Sequence, residues 1–482
     1  YHEKININKI MTKPFELSAF EARQLIGQKK LSSLELVKSC IGQIEKTNTK
    51  INAIVALDES EAIRQAEEAD RKTLKGEKLN LLHGIPVGIK DLNMVKNLRS
   101  TSGSLLNENH VPKDDDAIVK NIREEGGIIF CKTNTPEFGA GGNTTNKVYG
   151  PTVNPFDTKK SAAGSSGGSA AALACDMITM ANGSDYAGSL RTPASFCAVT
   201  GFRPSPGMVP AVDSAVSLNP FSVQGPMGKN VKDTFLLLQA QSDINNNDPF
   251  SSLNAISLPD NLNETDLSSV KMAYSSDLGC APVDKEIKKI FYKKIETIKS
   301  NFKTAINDHP NFLDIHNCFE VIRGFNYVSS HLEKYKNHKK LLGSNVIDDV
   351  EGGLLYNVED LAWAHTEQTN IYKNFRKFFE NFDVLISPSA SVSPYPHTKL
   401  FVDEINGKKM PTYKRWLALS YAPTMALPCA WSLPCGLDHL NMPFGIQLIA
   451  PAGNDAKLSE IALALENVLN SNNETKRPKP AI

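Results

Sequence analysis

Three segments of the 482-residue chain carry residue types that could cleave an acyl bond by serine chemistry. They read Gly-Ile-Lys-Asp at 88–91, Ala-Gly-Ser-Ser-Gly-Gly-Ser at 163–169 and Gly-Ser-Asp-Tyr-Ala-Gly-Ser-Leu-Arg-Thr-Pro at 183–193. A serine hydroxyl is too weakly acidic to attack an amide unaided and needs an adjacent base. A lysine can be that base when burial keeps its amine neutral. We therefore interpret Lys90 as a candidate base.

The elements around these segments follow the order of an α/β fold. Residues 81–90 form a short apolar run, broken by Gly and Pro, that predicts a buried strand ending at the lysine. Residues 117–125 predict a helix that the glycines at 126–127 stop, and residues 128–132 predict the next strand. This β-α-β order predicts a sheet that contains parallel pairs.

The serine-rich segment lies in a long irregular stretch, residues 133–170, whose length in a compact domain favours a functional loop. The Ala-rich residues 169–174 predict a helix, which the Gly-Ser cluster at 164–168 should open. Other predicted elements are capping boxes at Ser18/Glu21 and Ser32/Glu35, helices over 56–72, 286–303, 359–379 and 456–469, and strands over 384–387 and 444–449.

Together these segments resemble the amidase signature family. The glycine- and serine-rich stretch of that family is similar to residues 161–206, which include Gly-Phe-Arg-Pro-Ser at 201–205. Further segments that resemble the family lie at 132–138, 149–157 and 444–451. The resemblance covers most of residues 16–468 and is weakest over residues 240–410.

The resemblance implies a Ser-Ser-Lys triad, with Ser189 as nucleophile, Ser165 as a relay within a cis peptide, and Lys90 as base. Lys90 would accept a proton from Ser189 by way of Ser165 and return it to the leaving nitrogen. Water would then hydrolyse the acyl-enzyme. The implied activity is hydrolysis of a carboxamide to an acid and an amine, without a cofactor.

Backbone amides of the nucleophile loop are the candidate donors to the developing oxyanion. The resemblance assigns this role to Tyr186, Ala187, Gly188 and Ser189. The commoner family pattern has two glycines before the nucleophile, and Ala187 departs from it with a Cβ that restricts the backbone dihedrals. Supporting roles fall to Ser166, Asp185 and Arg191.

The expected fold class is α/β, a single large domain with a mixed sheet covered by helices on both faces, as the resemblance implies. The predicted domain covers residues 16–469, after an N-terminal extension at 1–15 and before a loose polar tail at 470–482. Within it, residues 240–410 are expected to be a mostly helical region that shapes substrate access.

Composition argues against several classes of partner. Lys plus Arg and Asp plus Glu number 53 each, so no net charge attracts nucleic acid or an anionic membrane. No apolar run reaches about 18 residues, the length that predicts a membrane span. The eight cysteines are scattered without CxxC pairs, which favours a reducing compartment and a cytoplasmic protein. The histidines show no HExxH pattern, so no metal is expected. The partners expected are a small amide substrate and, from the resemblance, a second copy in a homodimer.

Two local alternatives concern the glycine-rich segment. Gly164-x-Ser166-x-Gly168 also satisfies GxSxG, the nucleophile elbow of α/β-hydrolases, but an elbow needs a strand just before the serine, and residues 157–161 are polar. A phosphate-binding loop is disfavoured because GxxxxGK[ST] is absent.

Two wider alternatives concern function. The chain could be the amidase-like subunit of a tRNA-dependent amidotransferase, although Thr192 after Arg191 and the Tyr186-Ala187 pair differ from that subunit type. It could also be a catalytically weak binding protein. The substrate stays open among aliphatic amides, anilides, peptide amides, cyclic oligoamides and carbamates. Four aromatic residues are candidates for the pocket, namely Tyr327, Tyr356, Trp363 and Trp416.

Overall fold

The computed structural model describes residues 13–212, 216–251 and 258–482. Most of the predicted extension at residues 1–15 therefore lies outside the described residues. The α-helices are α1 (Ala19–Gly27), α2 (Ser33–Ile51), α3 (Glu59–Lys75), α4 (Ala117–Glu124), α5 (Gly167–Ala174), α6 (Arg191–Phe196), α7 (Val231–Gln241), α8 (Lys285–Ile298), α9 (Ile315–His338), α10 (Ser344–Gly353), α11 (Val358–Phe378), α12 (Ala418–Thr424) and α13 (Asp455–Ser471).

The β-strands are β1 (Ile54–Leu57), β2 (Pro86–Lys90), β3 (Ile128–Thr133), β4 (Val153–Asn154), β5 (Asp157–Ser161), β6 (Met180–Asp185), β7 (Thr200–Arg203), β8 (Val223–Gly228), β9 (Lys271–Tyr274), β10 (Thr304–Asn307), β11 (Val384–Pro388), β12 (Glu404–Ile405), β13 (Lys408–Lys409), β14 (Cys429–Leu437) and β15 (Pro443–Ala450). Short 3₁₀ helices lie at Pro14–Glu16, Leu105–Asn107, Glu137–Gly139, Leu267–Ser269, Lys299–Asn301, Lys339–Leu341 and Arg415–Leu417.

An eleven-stranded mixed sheet forms the centre of the fold, in the order β1-β3-β2-β6-β8-β7-β14-β15-β11-β9-β10. Strand β2 runs parallel to both β3 and β6, and β9 runs parallel to β10 and β11. The remaining neighbours are antiparallel. Helices flank the sheet, so the predicted α/β class with a mixed sheet is confirmed, as are the parallel pairs.

The part of the sheet that carries the site is apolar and tightly packed. All five residues of β2 and all six of β3 are buried, which suits continuous apolar strands that are covered on both faces. Helix α5 packs close to the end of β3, and a Cβ on Gly168 would lie 2.2 Å from the backbone nitrogen of Asn134. Glycine is therefore required where the serine-rich segment enters α5.

Several local predictions agree with the structure. Both capping boxes are present, with Ser18 and Glu21 at the start of α1 and with Ser32 and Glu35 at the start of α2. The strand ending at Lys90 is present as β2. The predicted helix at 117–125 corresponds to α4, which ends one residue earlier.

Two local predictions are wrong. The helix expected over 56–72 begins only at Glu59, after the N-cap Asp58, because Ile54–Leu57 pairs with β3 as β1. The polar residues at 157–161 do form a strand, β5, which pairs with β4 in a separate two-stranded sheet. Strand β5 lies outside the main sheet and is largely exposed, so polar side chains are tolerated on it. Its sequence therefore shows no alternation of apolar and polar residues that would predict a strand.

Residues 240–410 contribute both helices and sheet. They include α9, α10 and α11, and also β9, β10 and β11 at one end of the main sheet. After α13 the chain is not loose throughout, since Thr475 is fully buried and Arg477 Nε donates to the Ala198 carbonyl. The exact domain boundaries stay predictions. Among the described residues, no helix combines the length and apolarity needed to cross a bilayer.

Candidate active site

Strand β2 delivers Lys90 to a cluster of three serine hydroxyls. The Lys90 side chain is fully buried, and its Nζ lies 2.7 Å from Ser165 Oγ, 2.9 Å from Ser166 Oγ and 2.9 Å from Ser184 Oγ. The Lys90 backbone N–H donates to Asn182 Oδ1 at 2.6 Å, which fixes the strand end. A neutral amine has two N–H groups, so in that state at least one hydroxyl must donate to Nζ.

A second buried lysine on the neighbouring strand shows what is unusual about Lys90. Lys132 is fully buried as well, but its Nζ lies 3.2 Å from Asp91 Oδ1 in a buried ion pair and also donates to Ser100 Oγ. Among the described residues, no carboxylate forms an ion pair with Lys90. Burial lowers the pKa of Lys90 to about 7, although the negative charge of Asp185 opposes the shift. Burial lowers the pKa of Lys132 as well, although the negative charge of Asp91 opposes that shift. Lys90 has no carboxylate in ion-pair contact among the described residues, and with a pKa of about 7 it can lose its proton near neutral pH.

The serine-rich turn holds Ser165 and Ser166 under the lysine. The peptide bond between Gly164 and Ser165 is cis, as the resemblance implied. The Gly167 N–H donates to Thr144 Oγ1 at 3.1 Å, and the Ser166 N–H donates to the Ser189 carbonyl at 3.2 Å. The second contact joins the serine-rich turn to the loop that carries Ser189.

Asp185 anchors that second loop. Its carboxylate accepts from Arg191 Nε and Nη2 at 3.0 and 2.9 Å, from the Gly188 N–H at 2.9 Å and from the Leu190 N–H at 3.2 Å. Burial alone would raise the pKa of Asp185, but Arg191 and Arg203 hold it well below its usual value. The bracing role of Asp185 and Arg191 stays a prediction, and these contacts are its physical basis.

The amides of the loop are not equivalent. The Gly188 N–H is occupied by Asp185, which contradicts the prediction that it donates to an oxyanion. The amides of Tyr186, Ala187 and Ser189 donate to no acceptor among the described residues. Ala187 is not one of the described non-glycine residues with positive φ, so its Cβ causes no backbone strain. Gly188 has φ 103°, and a Cβ there would lie 2.4 Å from Ser420 Oγ.

Residues of the serine-rich turn and of the loop that carries Ser189 line a pocket of about 180 Å³. Ser165, Ser184, Tyr186, Ala187 and Ser189 line it together. Within the described part of the chain, no hydrogen bond links the hydroxyls of Ser165 and Ser189. The structure therefore brings the two serines and the lysine to one site, with Ser189 among the residues that line the pocket.

The four aromatic candidates divide. Tyr327 lines the pocket. Trp416 is only 1% exposed and packs against Gly142, while Tyr356 and Trp363 are each 39% exposed. None of these three is among the described residues that line the pocket. Aromatic character alone did not separate pocket from core or surface.

Sequence reasoning missed Ser184 and one face of α9. Ser184 follows Gly183 on β6, and its hydroxyl contacts Lys90 directly. Phe319, Arg323, Tyr327 and His331, spaced by four residues along α9, also line the pocket. That spacing is a helical stripe, which was visible in the sequence but is equally typical of core packing.

No group of three or more His, Cys, Asp or Glu side chains in the described ranges is arranged to hold a metal ion.

Comparison with known proteins identifies the family. The family model described as Amidase matches residues 35–458. An acylamidase of Rhodococcus erythropolis is 29% identical over 457 residues, which cover 94% of this chain and 95% of that protein. A glutamyl-tRNA(Gln) amidotransferase subunit from a Nostoc species is 28% identical and covers 92% of this chain and 96% of that protein.

Solved structures share the fold. The crystal structure of a bacterial aryl acylamidase superposes with a TM-score of 0.85 at 24% identity, over 94% of this chain and 96% of that one. That of 6-aminohexanoate cyclic dimer hydrolase superposes with a TM-score of 0.82 at 21% identity, over 95% and 98%. Since the family model spans all three chemistry-bearing segments and most of the chain, this protein belongs to the amidase signature family of hydrolases.

Proposed function

We propose that the chain hydrolyses a carboxamide C–N bond to a carboxylic acid and an amine or ammonia, through an acyl-enzyme on Ser189. The observation that carries this proposal is the buried Lys90 Nζ, 2.7 Å from Ser165 Oγ, in a pocket that Ser189 also lines. A neutral buried amine beside a chain of hydroxyls is a base that can act near neutral pH.

In the proposed acylation step, Ser189 Oγ attacks the amide carbonyl carbon. Its proton passes to Ser165 Oγ as the proton of Ser165 moves to Lys90 Nζ, which becomes an ammonium. The amides of Tyr186, Ala187 and Ser189 are the proposed donors to the oxyanion, each contributing about 2.7 to 4 kcal/mol by analogy with a well-studied hydrolase. The proton then returns along the same route to the leaving nitrogen, and the C–N bond breaks.

In the proposed deacylation step, water takes the place of Ser189 as the nucleophile. Water attacks the ester carbon of the acyl-enzyme and gives its proton, through Ser165, to Lys90. Collapse of the second tetrahedral intermediate breaks the bond between Ser189 Oγ and the acyl carbon and releases the carboxylic acid. Lys90 returns its proton through Ser165 to Ser189 Oγ, which restores the hydroxyl and the neutral amine. Ser166 and Ser184 support Lys90 through their contacts of 2.9 Å, and we assign them no proton-transfer step.

The experiment that tests the proposal replaces Ser189 by Ala and measures both turnover of an amide panel and labelling by a fluorophosphonate probe. We expect turnover to fall by roughly 10⁶-fold, as when the serine of a comparable triad is removed, and labelling to disappear. Ser329→Ala, an exposed position on α9, is the control and should keep both. Full turnover by Ser189→Ala on an amide that the wild type hydrolyses would remove the nucleophile assignment. Failure of the probe to label wild type would favour a catalytically weak binding protein.

The second candidate is the amidase-like subunit of a tRNA-dependent amidotransferase. It is favoured by the similarity to the Nostoc subunit over 92% of this chain. Thr192 and the Tyr186-Ala187 pair argue against it. Glutaminase activity that appears only with partner subunits, which co-elute with this chain on size exclusion, would favour this candidate over a self-sufficient amidase.

We also propose that the protein acts in the cytoplasm, since its scattered cysteines suit a reducing compartment. A homodimer is proposed on family resemblance, and sedimentation of the purified protein tests it.

A further inference from the structure

One face of α9 lines the pocket, and Arg323 lies on that face. Arg323 is 6% exposed and lines the pocket. Its Nε lies 3.2 Å from Asp349 Oδ1, and its Nη2 donates to Asp349 Oδ2, Tyr327 Oη and Tyr413 Oη at 2.8, 3.1 and 2.9 Å. Its Nη1 donates to no acceptor among the described residues. Arginine has five donors in a rigid fork, so two N–H groups on Nη1 remain for a ligand.

The aromatic rings around Arg323 hold it in place relative to the nucleophile loop. Its guanidinium carbon lies 5.3 Å from the centre of the Tyr186 ring and 4.4 Å from that of Tyr327. The Tyr186 hydroxyl accepts from Asn326 Nδ2 at 2.9 Å. Tyr186 belongs to the loop that carries Ser189, so a group bound at Nη1 is positioned relative to the acyl-accepting serine.

The charges near Arg323 favour an uncharged ligand group. Lys414 also lines the pocket, and its Nζ lies 2.8 Å from Asp349 Oδ1 and 2.9 Å from Glu320 Oε2. Lys414 Nζ also lies 3.8 Å from Asp348 Oδ2, so the two cations are matched by three carboxylates that lie behind the pocket wall. No carboxylate occurs among the described residues that line the pocket. An anionic ligand would add an unmatched negative charge and lose its hydration, whereas a carbonyl oxygen only needs donors.

We propose, on the basis of the amidase function proposed above, that Arg323 determines specificity by donating from Nη1 to a second, uncharged carbonyl oxygen of the substrate. The substrates of this pocket are then amides that carry two carbonyl groups, such as linear or cyclic diamides, in preference to simple aliphatic amides. Arg323 makes this contact away from the reacting atoms, and it is a binding residue without a role in proton transfer.

The test measures binding to the Ser189→Ala protein, which cannot form the acyl-enzyme, by titration calorimetry. The probes are succinamide and glutaramide, their shape-matched analogues 4-methylpentanamide and 5-methylhexanamide, and the anion succinamate. We expect at least one diamide to bind roughly 10- to 100-fold more tightly than its analogue, the range for a hydrogen bond to a charged group. Succinamate should bind more weakly than succinamide.

Arg323→Lys in the same background keeps a cation beside Asp349 but lacks the fork. The variant should reduce the ratio of diamide affinity to analogue affinity to about threefold or less, while leaving the binding of the alkyl analogues unchanged. Arg376→Lys, an exposed arginine on α11, is the matched control and should change nothing. If Arg323→Lys fails to fold, the affinities of the diamides, their alkyl analogues and succinamate for Ser189→Ala still decide whether the pocket prefers a second, uncharged carbonyl group.

Equal binding of both diamides and their analogues, tightest binding of succinamate, or an equal loss for diamides and analogues in Arg323→Lys would each overturn the inference. A different result would refute the proposed amidase function. A wild-type protein that binds diamides selectively but neither hydrolyses an amide nor reacts with the fluorophosphonate probe would refute the amidase proposal and leave the recognition by Arg323 standing.

Discussion

The Nζ atom of Lys90 lies 2.7 Å from the Oγ atom of Ser165, and both side chains are buried. Neighbouring strand β3 supplies Lys132, whose burial is compensated by Asp91. Among the described residues, these are the two lysines whose side chains are fully buried, and a carboxylate pairs with only one of them. Burial is the main cause of the lowered pKa of Lys90, and the ion pair with Asp91 is what distinguishes Lys132 from it.

The rate of amide hydrolysis should depend on the protonation of Lys90. With a pKa of about 7, the amine is mostly protonated below that pH, so kcat/KM should rise about tenfold per pH unit on the acid side and level off above it. A pH profile of kcat/KM on one amide measures this. A flat profile across neutrality, or a rise only near the ordinary lysine pKa, would contradict the assignment of the base.

The two buried lysines should differ in their effect on stability. Lys132→Met leaves Asp91 as an unpaired buried charge and should lower the free energy of unfolding by about 3 to 5 kcal/mol. Lys90→Met leaves no carboxylate unpaired and should lower the free energy of unfolding much less, although we expect it to abolish activity. Urea denaturation of the two variants at neutral pH makes the comparison. Equal losses would mean that Lys90 has a charged partner.

Gly188 should be indispensable, and Ala187 should not. A Cβ at Gly188 would lie 2.4 Å from Ser420 Oγ and 2.5 Å from Ser420 Cβ at a positive φ, so Gly188→Ala should cost about 1 to 3 kcal/mol and displace the nucleophile. Ala187→Gly should change kcat by about threefold or less, since Ala187 is unstrained. Steady-state kinetics and thermal melts test both. Partial recovery in Gly188→Ala/Ser420→Gly would identify the contact as the cause.

Asp185 should contribute to stability through its ion pairs with Arg191 and Arg203. Asp185→Asn leaves Arg191 and Arg203 without their buried counter-charge and should destabilise the protein by about 3 to 5 kcal/mol. Asp455 is the matched control, because it is equally buried but accepts from Ser205 and burial raises its pKa. Asp455→Asn should therefore cost less. Chemical denaturation gives both values, and the reverse order would refute the role of the Asp185 cluster.

Much of the local structure was predictable because its causes are local. Strand β2 is apolar at every position before Lys90, and each of the two capping boxes is complete within four residues. The errors have non-local causes. Strand β1 forms only because it pairs with β3, and β5 forms only because it pairs with β4. Propensity within the segment cannot report such partners.

The amino-acid sequence by itself determined the family, the α/β class and the three segments that carry Lys90, Ser165 and Ser189. The motifs in these segments carry the resemblance to the family, and the resemblance implies the fold and the site residues. The tertiary structure decided which of the two fully buried lysines lacks a carboxylate, that the Gly188 amide is occupied by Asp185, and that Ser184 contacts Lys90. It also decided that Arg323 lines the pocket from a helix more than 100 residues further along the chain. Hydrogen bonds, burial and charge pairing depend on neighbours that are distant in sequence, so they exist only once the chain is folded.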